Sequence, residues 1–219
     1  SDVAMASLTV HQKSPPIPTH AAILASPMAN LAVTAYAGDI NFQTNLSLYP
    51  SADGTIALAA GGSIATTVGG SIQTGTGTIA ACCTVSMVDG IGNPPVLGIP
   101  QPAVLSSPLH ASDLNPVIIY AGGSITGGFD LIKPAQVEAG LDIINTTFVG
   151  QNNDPADITS IIAGRNIMAV TTPGQYGQLQ NHTTTITLYG PGDLLVAAGG
   201  NLGPFTTYGA GYITQNGTL

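Results

Sequence analysis

Charge is what this sequence has least of. Charged residues are 6% of its 219 residues, against roughly 25% in an ordinary soluble domain. The bases are Lys13, Lys133 and Arg165, set against eleven acids, for a net charge of −8 and a pI of about 4.3. That balance excludes a partner held through its phosphate backbone, and nucleic acid with it. Glutamate occurs once, at Glu138, and tryptophan not at all. Without the charged side chains that cover exposed helix faces, an amphipathic-helix architecture is disfavoured as well.

Long apolar runs are missing too. The stretch from Ala21 to Val33 is broken by Ser26, Pro27 and Asn30, so no membrane span is expected. Ser1-Asp2-Val3 lacks the basic start of a signal peptide, and a secreted protein of this kind would be a processed piece of a longer chain. Cysteine is limited to the adjacent pair Cys82-Cys83, which matches neither a zinc-ligand spacing nor a disulfide framework. The pair reads as two small apolar residues in a strand or loop, because neighbouring cysteines rarely reach good disulfide geometry. A bridge between them or to another chain is the sharper alternative.

What is present is a chain that is 44% hydrophobic, with mean hydropathy +0.34, long enough to bury a substantial core. Its polar surface must come from Thr, Ser, Asn, Gln and Gly, which suits stacked strands and turns. A five-residue pattern, Ala-Gly-x-[Asp/Ser/Asn]-[Ile/Leu], recurs. The copies are Ala60-Gly61-Gly62-Ser63-Ile64, Ala121-Gly122-Gly123-Ser124-Ile125, Ala139-Gly140-Leu141-Asp142-Ile143, Ala163-Gly164-Arg165-Asn166-Ile167 and Ala198-Gly199-Gly200-Asn201-Leu202. Ala37-Gly38-Asp39-Ile40 and Val68-Gly69-Gly70-Ser71-Ile72 are degenerate copies.

Each copy follows an alternating strand whose inward positions step by two: Ile56, Leu58, Ala60; Val117, Ile119, Ala121; Ala135, Val137, Ala139; Leu194, Val196, Ala198. The expected core ladder comprises Leu58, Ile119, Val137, Ile161 and Val196, with Ile143 and Ile167 pointing back inside after the corner. The expected corners are Gly61, Gly122, Gly140, Gly164 and Gly199, where glycine permits φ > 0, with Asp142, Asn166 and Asn201 capping turn amides. A strand, a glycine corner and a second strand, repeated in one inward register, is what one coil of a β-solenoid needs. Residues 89–116, with Pro94, Pro95, Pro100, Pro102, Pro108 and Pro116, read as an extended Pro-rich loop. Residues 1–30 read as an irregular N-terminal segment and 31–219 as the β-helix.

The ordered wording of these repeats resembles the carboxy-proximal β-helical region of filamentous haemagglutinin-like exoproteins of the two-partner secretion pathway. The resemblance spans roughly residues 34–219. It is carried by Leu46 to Ile64, by Lys133-Pro134-Ala135-Gln136-Val137-Glu138-Ala139-Gly140-Leu141-Asp142-Ile143, by Val149 to Ile167, and by Gly190-Pro191-Gly192-Asp193-Leu194-Leu195-Val196-Ala197-Ala198-Gly199-Gly200-Asn201-Leu202-Gly203. It implies export through an outer-membrane partner pore, folding outside the cell, and roles in adhesion, biofilm or surface fibres. The chain departs from the pattern at Leu141 and Gly200, where similar proteins often look basic, and at its cysteine pair. The expected fold is therefore all-β: a right-handed parallel β-helix with long irregular excursions.

Such folds also carry polysaccharide lyases and glycoside hydrolases, the alternative reading, which need clustered carboxylates or a base beside bound calcium. The acids here are scattered, and Asp154-Pro155-Ala156-Asp157, the closest local pair, reads as a solvated loop. Lys133 and Arg165 lie in repeat strands or corners without an identifiable cleft partner. His11, His20, His110 and His182 have no metal-ligand spacing and read as surface histidines. The glycine corners are followed by no phosphate-loop Lys-Ser/Thr. Thr74 to Thr78 and Thr183 to Thr187 suit solvent-facing strands better than an ice-binding ladder, and Asn45, Asn145, Asn181 and Asn216 begin glycan-acceptor triplets.

The expectation is a non-enzymatic structural or adhesive segment, extracellular or at the bacterial surface, with no catalytic, metal or cofactor residue. Its expected partners are further copies, through end or lateral stacking into a filament, and host or matrix glycans, with an outer-membrane export partner for the parent chain.

Overall fold

A computed structural model describes residues 28–42, 44–66, 73–74, 77–78, 83–87, 109–170, 172–173, 179–180 and 183–204. These residues are all-β, without a helix. The strands are β1 Asn30–Ala35, β2 Ile40–Asn41, β3 Leu46–Ser47, β4 Thr55–Ala60, β5 Ile64–Ala65, β6 Gln73–Thr74, β7 Gly77–Thr78, β8 Thr84–Ser86 and β9 Val117–Ala121. They continue with β10 Ile125–Asp130, β11 Ala135–Ala139, β12 Ile143–Gln151, β13 Ile158–Ala163, β14 Ile167–Met168, β15 Thr172–Pro173, β16 Leu179–Gln180, β17 Thr185–Tyr189 and β18 Asp193–Ala198.

Two parallel sheets hold most of them. One runs β1-β4-β9-β11-β13-β18; the other runs β14-β12-β10-β5-β2, with β17 on β12, β8 on β10, and β3 on β8. The chain alternates between the sheets, and each return to the six-stranded sheet lies parallel to the previous visit. A parallel strand cannot be reached by a tight hairpin, so each pass must travel through the second sheet before coming back. The short pairs β6-β7 and β15-β16 are antiparallel.

Alternation along each strand becomes columns across the sheets. Val33, Leu58, Ile119, Val137, Ile161 and Val196 are register partners in one row. Ala35, Ala60, Ala121, Ala139, Ala163 and Ala198 form the next inward row. In the second sheet Ile40, Ile64, Ile125, Ile143 and Ile167 align, and Leu202 bridges to Ile167. Leu58, Ile119, Ile64 and Ile125 are wholly buried in a core that both sheets share. Each such side chain is worth about 1.5–3 kcal/mol relative to exposure. Leu194, Val196 and Ala198 on the outermost strand β18 are only partly buried.

Several sequence expectations change. The five corner glycines do not have positive φ; among described glycines that conformation occurs at Gly127, Gly190, Gly192 and Gly203. They are required instead by close approach. A Cβ at Gly122 would meet the Gly61 carbonyl oxygen at 2.5 Å, and Cβ atoms at Gly61, Gly140, Gly164 and Gly199 would meet Tyr36, Gly122, Gly140 and Gly164 oxygens more closely still. In the first pass the inward alanine is Ala35, not Ala37, because Ala35 pairs with Ala60 and Ile40 with Ile64. Tyr36 thus stands beneath Gly61, and this corner holds four residues where the later ones hold three.

Cys83 is buried, disulfide-bonded and at φ 104°, so it is not a free apolar residue; Cys82 lies outside the described residues. Also outside them are residues 1–27 of the irregular N-terminal segment, the degenerate copy Val68 to Ile72, residues 89–108 of the Pro-rich loop and residues 205–219.

Candidate interaction surface

The corner between the alanine and isoleucine columns is the most regular polar feature. Its third residue carries an oxygen that accepts the backbone N–H of the equivalent residue one pass later. Ser63 N donates to Asp39 Oδ1 (2.6 Å), Ser124 N to Ser63 Oγ (3.0 Å), Asp142 N to Ser124 Oγ (3.3 Å), Asn166 N to Asp142 Oδ1 (3.1 Å) and Asn201 N to Asn166 Oδ1 (2.9 Å). Asn166 and Asn201 each add a side-chain amide donor to the same acceptor. In return, Ile40, Ile64, Ile125, Ile143 and Ile167 donate N–H to the carbonyls of Ser63, Ser124, Asp142, Asn166 and Asn201. Asp142 and Asn166 therefore cap the neighbouring pass, not their own turn, while Asn201 supplies donors to the Asn166 oxygen.

The ladder runs one way, from β1 towards β18. Arg165 ion-pairs with Asp142 Oδ2 on this corner. Burial raises the Asp142 carboxyl pKa, but the hydrogen bonds from Arg165 and Asn166, together with the Arg165 charge, outweigh it and hold the group below its ordinary value.

The opposite corner, leading into the six-stranded sheet, has no such repeat. Lys133, wholly buried, donates from Nζ to the Gly54 carbonyl (3.1 Å) and to Asp113 Oδ2 (2.5 Å), joining the entries to β4, β9 and β11. Asp113 also accepts from Asn115 N and Nδ2, and His110 Nδ1 lies 3.5 Å from Asp113 Oδ2. Burial raises the Asp113 pKa, and the Lys133 hydrogen bond and charge with the Asn115 donors lower it further than burial lifts it. Beyond this cluster, buried Asn152 donates to the Asp157 and Asp193 carbonyls and accepts from Thr159 Oγ1 (2.7 Å).

Thus Lys133 and Arg165 each have an acidic partner, and His110 is buried, contrary to the sequence reading of both. The sequence missed the two ion pairs because Asp113 lies 20 residues from Lys133 and Asp142 lies 23 residues from Arg165. Lys133 Nζ, buried and held by two acceptors, is poorly placed to serve a surface substrate as a base. Asp154 and Asp157 cap the backbone of their own loop, Asp157 Oδ2 accepting from Asn153 N and Asp154 N. His11, His20, His182, Asn181 and Asn216 lie outside the described residues. Asn45 and Asn145 use their side-chain oxygens to accept Thr84 N and Val170 N. The threonine row of the second sheet reads Thr84, Gly128, Thr147, Thr185, so a glycine interrupts its hydroxyls. Among the described residues no group of three or more His, Cys, Asp or Glu is placed to hold a metal, and no helix is long and apolar enough to cross a membrane.

The outward face of the six-stranded sheet is nearly uncharged. Its rows are Ala32, Ala57, Ile118, Gln136, Ser160, Leu195 and Thr34, Ala59, Tyr120, Glu138, Ile162, Ala197. Ile118, Tyr120, Ile158 and Leu195 are exposed there.

In comparisons with known proteins the chain matches no family model, no curated sequence and no solved structure.

Proposed function

We propose that this chain is a segment of a right-handed parallel β-helix belonging to a filamentous haemagglutinin-like exoprotein, acting outside the cell as a structural or adhesive element. The observation that carries the reading is the set of unbroken columns: successive passes return in one inward register and bury one core between two parallel sheets. A solenoid supplies that arrangement with each coil covering its neighbours. Parallel crossovers are almost always right-handed, which gives the hand.

Function then lies on the surface. The weakly charged outer face of the six-stranded sheet, with Tyr120 and three exposed aliphatic residues, favours packing against an equivalent face in a fibre, and its aromatic and amide groups suit contact with matrix glycans. The parent chain would reach this location through an outer-membrane partner.

Electron microscopy of the purified chain tests the reading. It predicts short rods that gather side by side as concentration rises, with binding but no cleavage of surface oligosaccharides. Compact, non-elongated particles overturn the β-helix; product formation from oligosaccharides overturns the non-enzymatic role.

A further inference from the structure

The outward face of the six-stranded sheet changes character from one strand to the next. On β1 and β4 it carries only Ala32, Thr34, Ala57 and Ala59, a flat shelf. On β9 and β11 it carries Ile118, Tyr120, Gln136 and Glu138, a ridge of long side chains. Register ties the two halves together: Ala57 pairs with Ile118 and Ala59 with Tyr120, so shelf and ridge share the same rows. Ala57 and Ala59 are half-buried and the other six are exposed. Glu138 is the one charged residue in these two rows.

A shelf beside a ridge is complementary to itself when turned over. A half-turn about an axis parallel to the strands, lying in the interface between β4 and β9, keeps every residue in its row and exchanges the strands in pairs. Ile118 then lies over Ala57 of the second copy and Tyr120 over Ala59, while Gln136 and Glu138 lie over Ala32 and Thr34. Long side chains meet short ones at every pair. The two Glu138 carboxylates end three strand spacings apart, about 14 Å, beyond the roughly 8 Å over which surface charges remain coupled in salt.

Other placements lose this match. An axis along β9 stacks Ile118 on Ile118 and Tyr120 on Tyr120. Between β9 and β11 it sets Tyr120 against Glu138 with the two carboxylates one spacing apart along the sheet, and along β11 it puts Glu138 over Glu138. An axis along the column places each strand on itself, so ridge meets ridge.

We propose that the part of this face from β1 to β11 is the docking site for a second copy of the chain, turned over so that Ile118 and Tyr120 of each copy seat on Ala57 and Ala59 of the other. The inference rests on the β-helix reading above and gives its lateral packing a partner, a direction and a register: the two columns run antiparallel. Four overlapping strands of five residues cover on the order of 300 Å² per copy, below the roughly 800 Å² per partner of a stable complex. The pair is therefore weak and forms as concentration rises.

Thr34→Cys and Glu138→Cys proteins, mixed at high concentration and treated with a short bis-maleimide, test the register. Heterodimer should exceed either homodimer fivefold or more, because Thr34 faces Glu138 in the pair and lies three spacings from its own counterpart. Heterodimer no more abundant than homodimer overturns the proposal. Adding Ala59→Tyr or Tyr120→Ala to both proteins should each cut capture fivefold or more, the first setting ring on ring and the second leaving the alanine uncovered. Adding both exchanges shelf and ridge in that row and should restore capture. Capture that rises with Ala59→Tyr alone, or that the exchange fails to restore, overturns the proposal. All four substitutions lie on outward strand positions and leave the core intact. Rods in electron microscopy without heterodimer capture overturn this proposal alone; compact particles overturn the β-helix reading with it.

Discussion

The two corners that flank the six-stranded sheet solve the same problem by different means. On the side of the alanine column, each pass meets the last through glycine and an oxygen-bearing side chain, and the solution repeats from Gly61 to Gly199. On the other side a single buried cation, Lys133, serves three passes at once, and Asn152 serves the next two. Where backbones approach more closely than a Cβ permits, every pass must make the same concession, so the sequence repeats. On the other side the passes are equally close, but a tight glycine contact such as that of Gly192 with the Asp157 oxygen (2.5 Å for a Cβ) does not recur from pass to pass, and one long side chain supplies donors to several carbonyls. Regularity in the chain therefore records a contact repeated at every pass more than it records importance.

The largest effect should come from the corner without a repeat. Lys133→Ala strands Asp113 and the Gly54 carbonyl in a buried site and should lower unfolding free energy by about 3–5 kcal/mol in urea titrations. Coupling Lys133→Met to Asp113→Leu should recover most of that loss, since neither charge is then left alone. A double variant as unstable as Lys133→Ala would mean that the Gly54 contact dominates.

On the repeated side, Gly164→Ala should cost about 2–3 kcal/mol, because its Cβ meets the backbone oxygen of Gly140, which cannot move alone. Gly200→Ala, with 2.8 Å to the Arg165 oxygen and the side chain of Asn166 beside it, should cost less than half as much. Equal losses in thermal unfolding would show that close approach is not what selects glycine in the first column.

Asp142→Ala removes the acceptor for two donors of Asn166 and the partner of Arg165, and should cost about 1–2 kcal/mol at neutral pH. Because Asp142 and Asp113 have folded pKa values below the ordinary 3.8, the stability they supply is present above about pH 4 and lost as pH falls through their folded values.

Asp130 has the opposite sign. Burial on β10 pushes its carboxyl up to about 6, so the folded protein holds this proton more tightly than the unfolded chain, and stability falls as pH rises from about 4 to 6. Asp130→Asn should thus stabilise by on the order of 1–2 kcal/mol at pH 7 and lose that advantage below about pH 4. Unfolding curves at pH 3.5, 5 and 7 check both signs.

Legibility divided along the same line as the corners. The inward faces of Ile56, Leu58 and Ala60 or of Val117, Ile119 and Ala121 can be read from alternation because side chains on a strand change face at every step. The corner glycines were visible as a repeat, though the reason for them was misread: φ > 0 is a property of one residue, whereas the observed cause is a carbonyl a full pass away. The degenerate copy Ala37 to Ile40 did not show that the inward alanine of the first pass is Ala35, because that corner carries one more residue than the later ones. His110 was read as a surface residue from its irregular, Pro-rich surroundings, whereas it is buried with Nδ1 3.5 Å from Asp113 Oδ2. The strand β8 and the threonine that stitches it in place were also missed. Thr66 Oγ1 donates to the Cys83 carbonyl and accepts from Gly128 N, contacts that span 17 and 62 residues.

By itself, the sequence determined the period of the strands, the alanine, aliphatic and isoleucine positions that form the columns, and the near-absence of charge. Those properties follow from side-chain direction and composition, which are local. Only the tertiary structure decided that Gly54, Asp113 and Lys133 share one buried site, that each corner oxygen caps the following pass, and that Tyr36 occupies the bottom of the glycine column. Each depends on which passes lie side by side, and that is set by the packing of the whole stack.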